Sequence, residues 1–218
     1  MTTVIRASAV LLDMDGTLVD STAVVERVWT DWAVEHGLDP ADVLPVIHGR
    51  QAHASMAILL PARAVDENLA DNRAMLERET TETEGVVAVA GAAGLLRALA
   101  GVPHALVTSA TLALATARMA AAALPMPAIA VTAENVTESK PDPEGFLAAA
   151  AALGVAPHDC VVFEDSGAGI TAAHRAGMRV VGVGQLAERH GADHLVADLS
   201  TVRVTVDGPT FTITLTQR

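Results

Sequence analysis

Asp13 and Asp15 stand two positions apart at the end of a short apolar run, Ala7 to Leu12, and Gly16-Thr17 follows at once. The run reads as a buried strand, and Gly16 permits the backbone reversal that ends it. Alternation along an extended chain sends residues i and i+2 to the same side. Both carboxylates therefore converge at the strand's C-terminal end, the edge where open α/β sheets bind ligands. Two acids placed so close repel each other unless a cation joins them. A divalent metal such as Mg²⁺, which takes one or two carboxylates together with phosphate oxygens, reconciles them.

Other polar residues fall where an apolar run stops. Thr108 and Ser109 follow His104 to Val107, and Glu164 and Asp165 follow Cys160 to Phe163. A parallel sheet gathers all such strand ends at one edge. Lys140 is the single lysine among fourteen basic residues and precedes Pro141-Asp142-Pro143. A loop lysine is expected to be little buried, yet a compact ammonium is also what a site crowded with anions needs.

The elements that must position these groups alternate. Helices are expected over 91–99, 111–123, 143–153 and 166–176. Strands are expected over 104–107, 128–131, 160–163 and 180–183, which implies a parallel, doubly wound sheet. Between about 20 and 84 the pattern is helical and lacks strand signals. Ser21 and Thr22 open a helix that Gly37 stops, with Val24, Val28, Trp29 and Trp32 at helical spacing; Asp39-Pro40 and Gln51 start further helices, and Asp66 to Thr83 reads as a long polar one. So long a stretch is an inserted helical unit rather than a βα connection. The division expected is a discontinuous α/β core, 1–19 with 85–218, around a helical cap, 20–84. At the tail, Val202, Val204 and Val206, then Asp207-Gly208, then Phe211, Ile213 and Leu215 read as a β-hairpin.

Composition excludes some partners. A net charge of −12 argues against nucleic acid and anionic membrane. No apolar run reaches the length of a membrane span, and the first residues lack the pattern of a signal peptide. A soluble cytoplasmic protein, monomeric by default, is expected. Cys160 is the only cysteine, so no intrachain disulfide forms.

The order Asp13-Met14-Asp15-Gly16-Thr17, then Thr108-Ser109, then Lys140-Pro141, then Glu164-Asp165 resembles the four motifs of the haloacid dehalogenase-like superfamily, over residues 7 to about 184. The insert after the first motif resembles that superfamily's cap. The resemblance implies a nucleophilic Asp13 that forms an aspartyl-phosphate, and Asp15 as general acid and then base. It implies phosphoryl contacts from the Met14 and Asp15 amides, Thr108 and Ser109, and a fixed charge on Lys140. Mg²⁺ would be held by Asp13, Glu164, Asp165 and the Asp15 carbonyl. Finer features resemble the 2-deoxyglucose-6-phosphate and glycerol-3-phosphate phosphatase type: Val28-Trp29, His48-Gly49-Arg50, Lys140 to Phe146, and Val162 to Asp165. His48 and Arg50 are the candidate substrate contacts in the cap. Where that type often has Pro-Gly-Ala, this chain has Ala90-Gly91-Ala92, which would loosen a hinge.

The function implied is hydrolysis of a small sugar or polyol phosphate monoester. Dehalogenases of the superfamily lack the second carboxylate that Asp15 supplies. The phosphonate-cleaving branch needs a cap lysine, absent from 20–84. The phosphosugar mutase branch uses a cap lysine and a cap histidine, where Val25 stands here. A phosphoacceptor signalling module that does not turn over would be shorter and lack the insert.

Overall fold

The computed structural model describes residues 2–47, 52–207 and 210–216. The chain divides into two compact units, Met1–Asp20 with Val87–Arg218, and Ser21–Val86. The first unit opens with β1 (Thr2–Ala7), β2 (Ala9–Leu12) and β3 (Val19–Asp20). The second contains α1 (Thr22–Glu35), α2 (Pro40–Ile47), α3 (Ala52–Leu59) and α4 (Val65–Thr81). The chain then returns through β4 (Val87–Ala88), α5 (Ala92–Ala98), β5 (His104–Val107), α6 (Leu112–Ala121) and β6 (Ala130–Val131). It continues with α7 (Glu144–Leu153), β7 (Cys160–Glu164), α8 (Gly167–Arg175) and β8 (Arg179–Val183). Last come α9 (Gly184–Ala187), β9 (His194–Val196), β10 (Val202–Asp207) and β11 (Thr210–Thr216).

The expected parallel sheet forms with strand order β6-β5-β2-β7-β8-β9. β2 lies at its centre, between β5, reached after the helical unit, and β7, reached later still. That reversal of direction is the topological switch point at which α/β sheets bind ligands. Central strands of such a sheet are covered on both faces, and every residue of β2 and β7 is buried. Phe146, Ile170, Val162, Val180 and Leu11 are among the side chains that fill the core around them.

Local chemistry sets the helix ends. Thr111 accepts from the Leu114 amide at 3.3 Å to open α6, and Ser166 accepts from the Gly169 amide at 3.1 Å to open α8. Gly154, at φ +67°, closes α7 in the left-handed conformation a Cβ disfavours.

Several details depart from the sequence reading. The apolar run 7–12 is two strands: the chain bends at Ser8, whose amide donates to the Asp159 carbonyl at 2.9 Å. β2 joins the parallel sheet, whereas β1 pairs antiparallel with β11, Thr2 facing Thr216 and Ala7 facing Phe211. The expected tail hairpin, β10 with β11, is thus part of a three-stranded sheet. β3 and β4 form a two-rung ladder, Val19 with Ala88 and Asp20 with Val87, too short to signal itself. At Gly91 the backbone lies close to a neighbouring segment. At φ +87° it packs so closely that an added Cβ would lie 2.2 Å from the Leu199 backbone.

In the helical unit, Val24, Val28, Trp29, Trp32, Val43, Ile47, Met56 and Met75 are buried. Trp29 and Trp32 meet edge to face at 5.3 Å. No helix among the described residues is long and apolar enough to cross a membrane.

Candidate active site

Register brings the strand ends together. Leu12 is paired with Leu106 on one side and Phe163 on the other, so Asp13, Val107-Thr108 and Glu164 emerge side by side at the C-terminal edge. Backbone bonds hold the first residues past the strands: the Asp13 amide donates to the Phe163 carbonyl at 3.0 Å and the Thr108 amide to the Val131 carbonyl at 2.9 Å. After Asp15 the chain folds back on itself. The amides of Leu18 and Val19 donate to the Met14 carbonyl, and that of Gly16 to the Val19 carbonyl. Gly16 has φ +85°, and a Cβ there would come within 2.0 Å of Asp165 Oδ2.

Lys140 crosses from its loop to the middle of the edge. Its Nζ donates to Asp13 Oδ1 at 2.5 Å, Glu164 Oε1 at 2.8 Å and the Val107 carbonyl at 3.1 Å, using all three of its protons. Its ammonium also lies 5.1 Å from the Phe146 ring centre. The side chain is 11% exposed, so the expectation of a little-buried loop lysine is wrong. Three anionic or polar acceptors at one point, floored by an aromatic ring, draw it in from the loop.

Glu164 is fully buried, and its other oxygen accepts the Ser166 amide at 2.6 Å. A Cβ at position 169 would fall 1.6 Å from Glu164 Oε1, which accounts for glycine in the first turn of α8. Carboxylate oxygens of Asp13, Glu164 and Asp165 lie within 4.8 Å of one another, the one such group among the described residues. Burial is the first cause that pushes the Asp13 and Asp165 carboxyls well above the usual range, and repulsion from Glu164 adds to it. Burial alone would lower the Lys140 ammonium, but Asp13 and Glu164 together outweigh it and raise it. One cation against three carboxylates leaves a deficit of positive charge. Hard oxygen donors converging on that deficit fit a divalent cation such as Mg²⁺.

Thr108 and Ser109 share a recess with Lys140 and Phe146. Thr108 is buried, and its hydroxyl accepts the Ala110 amide at 3.1 Å; Ser109 is exposed. The Met14 side chain is wholly in the core, which leaves its backbone to meet a ligand. Asp15 does not join the carboxylate cluster with its side chain: Oδ2 accepts from Arg118 Nη1 at 2.8 Å. His48 and Arg50 lie outside the described residues.

Arg118 escaped the sequence reading, being one arginine in an alanine-rich helix 103 residues from its partner. A signal was present. Leu114, Ala115, Arg118 and Met119 form the buried stripe of α6, and a charge on an apolar stripe asks for a partner.

The chain is similar to known hydrolases. The haloacid dehalogenase-like hydrolase family matches residues 7–177. Hexitol phosphatase A of Escherichia coli strain K12 is 44% identical over 180 residues, 82% of this chain and 83% of that protein. The 2-deoxyglucose-6-phosphate phosphatase 1 of Saccharomyces cerevisiae is 30% identical over 226 residues, covering 91% of this chain and 90% of its own. Among solved structures, CbbY from Rhodobacter sphaeroides in complex with phosphate superposes with a TM-score of 0.77 at 25% identity, over 89% of this chain and 95% of that one. With the family's match spanning most of the chain, from the first apolar run past the Glu164-Asp165 pair, this protein belongs to the haloacid dehalogenase-like hydrolases.

Proposed function

We propose that the chain is a Mg²⁺-dependent phosphatase that hydrolyses small sugar or polyol phosphate monoesters through an aspartyl-phosphate on Asp13. The observation that carries this reading is the convergence of Asp13, Glu164 and Asp165 around Lys140 at the switch point of the sheet. Similarity to phosphatases of hexitol phosphate and 2-deoxyglucose 6-phosphate supports the substrate class. A net charge of −12 argues against nucleic acid or an anionic membrane as partner.

In the first half-reaction an Asp13 oxygen bonds to phosphorus as the ester P–O bond breaks, and Asp15 delivers its proton to the departing oxygen. In the second, Asp15 takes a proton from water, whose oxygen bonds to phosphorus as the bond to Asp13 breaks. Phosphate leaves and Asp15 is again protonated. Lys140 holds Asp13 in place and offsets phosphoryl charge, and Thr108, Ser109 and the Met14 and Asp15 amides orient the phosphoryl oxygens. Asp13, Glu164, Asp165 and the Asp15 carbonyl would hold Mg²⁺, which would supply the remaining positive charge when bound. The helical unit takes the part of the family's cap.

Phosphate release from a panel of sugar, polyol and nucleotide phosphates, with Mg²⁺ and with excess chelator, tests this. Many turnovers on sugar or polyol esters, lost on chelation, are expected. Release of no more than one phosphate per chain, or full activity in chelator, would sink it.

A further inference from the structure

We infer that Arg118 is a positioning residue for the Asp15 carboxylate, aiming it at the leaving oxygen of the ester; the inference rests on the phosphatase reading above. Arg118 is 4% exposed. Its Nη1 reaches Asp15 Oδ2 at 2.8 Å, while the Asp15 side chain is 33% exposed. Stability alone accounts poorly for such a pair. Stripping a guanidinium of water costs much of what its attraction to a half-exposed acid returns, and such a pair as a whole is often replaceable by apolar side chains without loss.

What the pair does is hold direction. The Asp15 backbone is pinned by the turn in which the Gly16 amide donates to the Val19 carbonyl at 2.8 Å. The backbone does not by itself set the side-chain direction, and a general acid must lie within hydrogen-bond reach of the atom it protonates. A planar, permanently charged fork mounted on a packed helix fixes one carboxylate oxygen and so limits where the other can point.

The consequence depends on the leaving group. A sugar or polyol alkoxide needs its proton as the P–O bond breaks; a nitrophenolate departs without one. kcat/KM covers steps only through leaving-group departure, so it separates this role from the later activation of water. Arg118→Met should lower kcat/KM for an alkyl ester such as a hexitol phosphate by about tenfold or more, general acid catalysis as a whole being worth about 100-fold or more. For p-nitrophenyl phosphate it should change by less than about threefold. Arg118→Lys, which keeps charge but loses the fork, should fall between on the alkyl ester.

A thermal melt accompanies the kinetics, and should Arg118→Met not fold, the same ratio of esters is read from Arg118→Lys. Equal losses on both esters would mean a structural or direct phosphoryl role, and no loss on either would mean a bystander. Each overturns the inference while leaving wild-type turnover intact. A wild-type chain inactive on every ester overturns the phosphatase reading and this inference with it.

Discussion

The sheet edge and the helical unit each set acids against cations, and they do so in opposite proportion. At the edge, Asp13 and Glu164 share Lys140 with Asp165 close by, and burial with mutual repulsion drives Asp13 and Asp165 toward the protonated form. In the helical unit Asp71 stands alone among donors, Arg63 Nη1 at 2.5 Å and Trp32 Nε1 at 2.7 Å, with His36 Nε2 3.3 Å away. The Arg63 bond is the chief reason its carboxyl is held below the ordinary range, against a smaller effect of burial. One place leaves its charges unbalanced and the other satisfies them. A fold keeps an unbalanced cluster where a ligand completes it, and closes the rest.

That contrast breaks most visibly at Asp13. Asp13→Asn removes the charge of the oxygen proposed to attack, and activity should fall by more than about 1,000-fold, the scale on which loss of a nucleophile is felt. Structure should not suffer. A carboxyl whose folded pKa is raised subtracts stability above that pKa, so its removal is expected to leave the melting temperature in chelator unchanged or higher. A variant that loses activity because it melts well below wild type would make the site an ordinary structural cluster.

Lys140 sharpens the same contrast. With Lys140→Ala, Asp13 and Glu164 face each other without a cation, and breaking one side of a buried pair costs about 3 kcal/mol or more. Mg²⁺, which the proposed site would bind only when folded, should recover part of that loss. Lys140→Arg keeps charge but misplaces it, and kcat should drop about tenfold or more. Melts with and without Mg²⁺, alongside steady-state kinetics, check both. A Lys140→Ala variant as stable as wild type in chelator would show that the cluster does not need its cation.

How much of this could be read in advance follows from where each signal sits. Asp13, Thr108, Lys140, Glu164 and Asp165 announce themselves because apolar runs stop there, and a parallel sheet collects strand ends whatever the loops do. Arg118 and Asp71 are helix residues with partners from other segments, Asp15 103 positions from Arg118 and Trp32 39 positions from Asp71, and periodicity shows which stripe a residue occupies but not what faces it. β1 was missed because Thr2–Ala7 mixes polar and apolar residues, and its partner β11 enters from the far end of the chain. The burial of Lys140 was misjudged for the same kind of reason: loop position says nothing of three acceptors waiting at one point.

The smallest effect expected is at Asp71, and it can be observed separately. Trp29 and Trp32 are both in α1, they are the chain's 2 tryptophans, and there is no tyrosine, so intrinsic fluorescence follows the helical unit. Asp71→Asn keeps an oxygen for Trp32 but loses the charge that holds Arg63. With the pair about a quarter exposed, screening limits the expected cost to about 1–2 kcal/mol at neutral pH. A lowered folded pKa gives stability that is fully present above the unfolded value and lost as pH falls through the folded one. The gap between wild type and Asp71→Asn in fluorescence-detected urea unfolding should therefore narrow as pH drops below the ordinary value of 3.8. The sheet-edge acids have the opposite sign, because a raised pKa penalises folding at neutral pH and relents in acid. If the Asp71 gap instead widened on acidification, Asp71 would belong with them, and the division between a satisfied unit and an unbalanced one would fail.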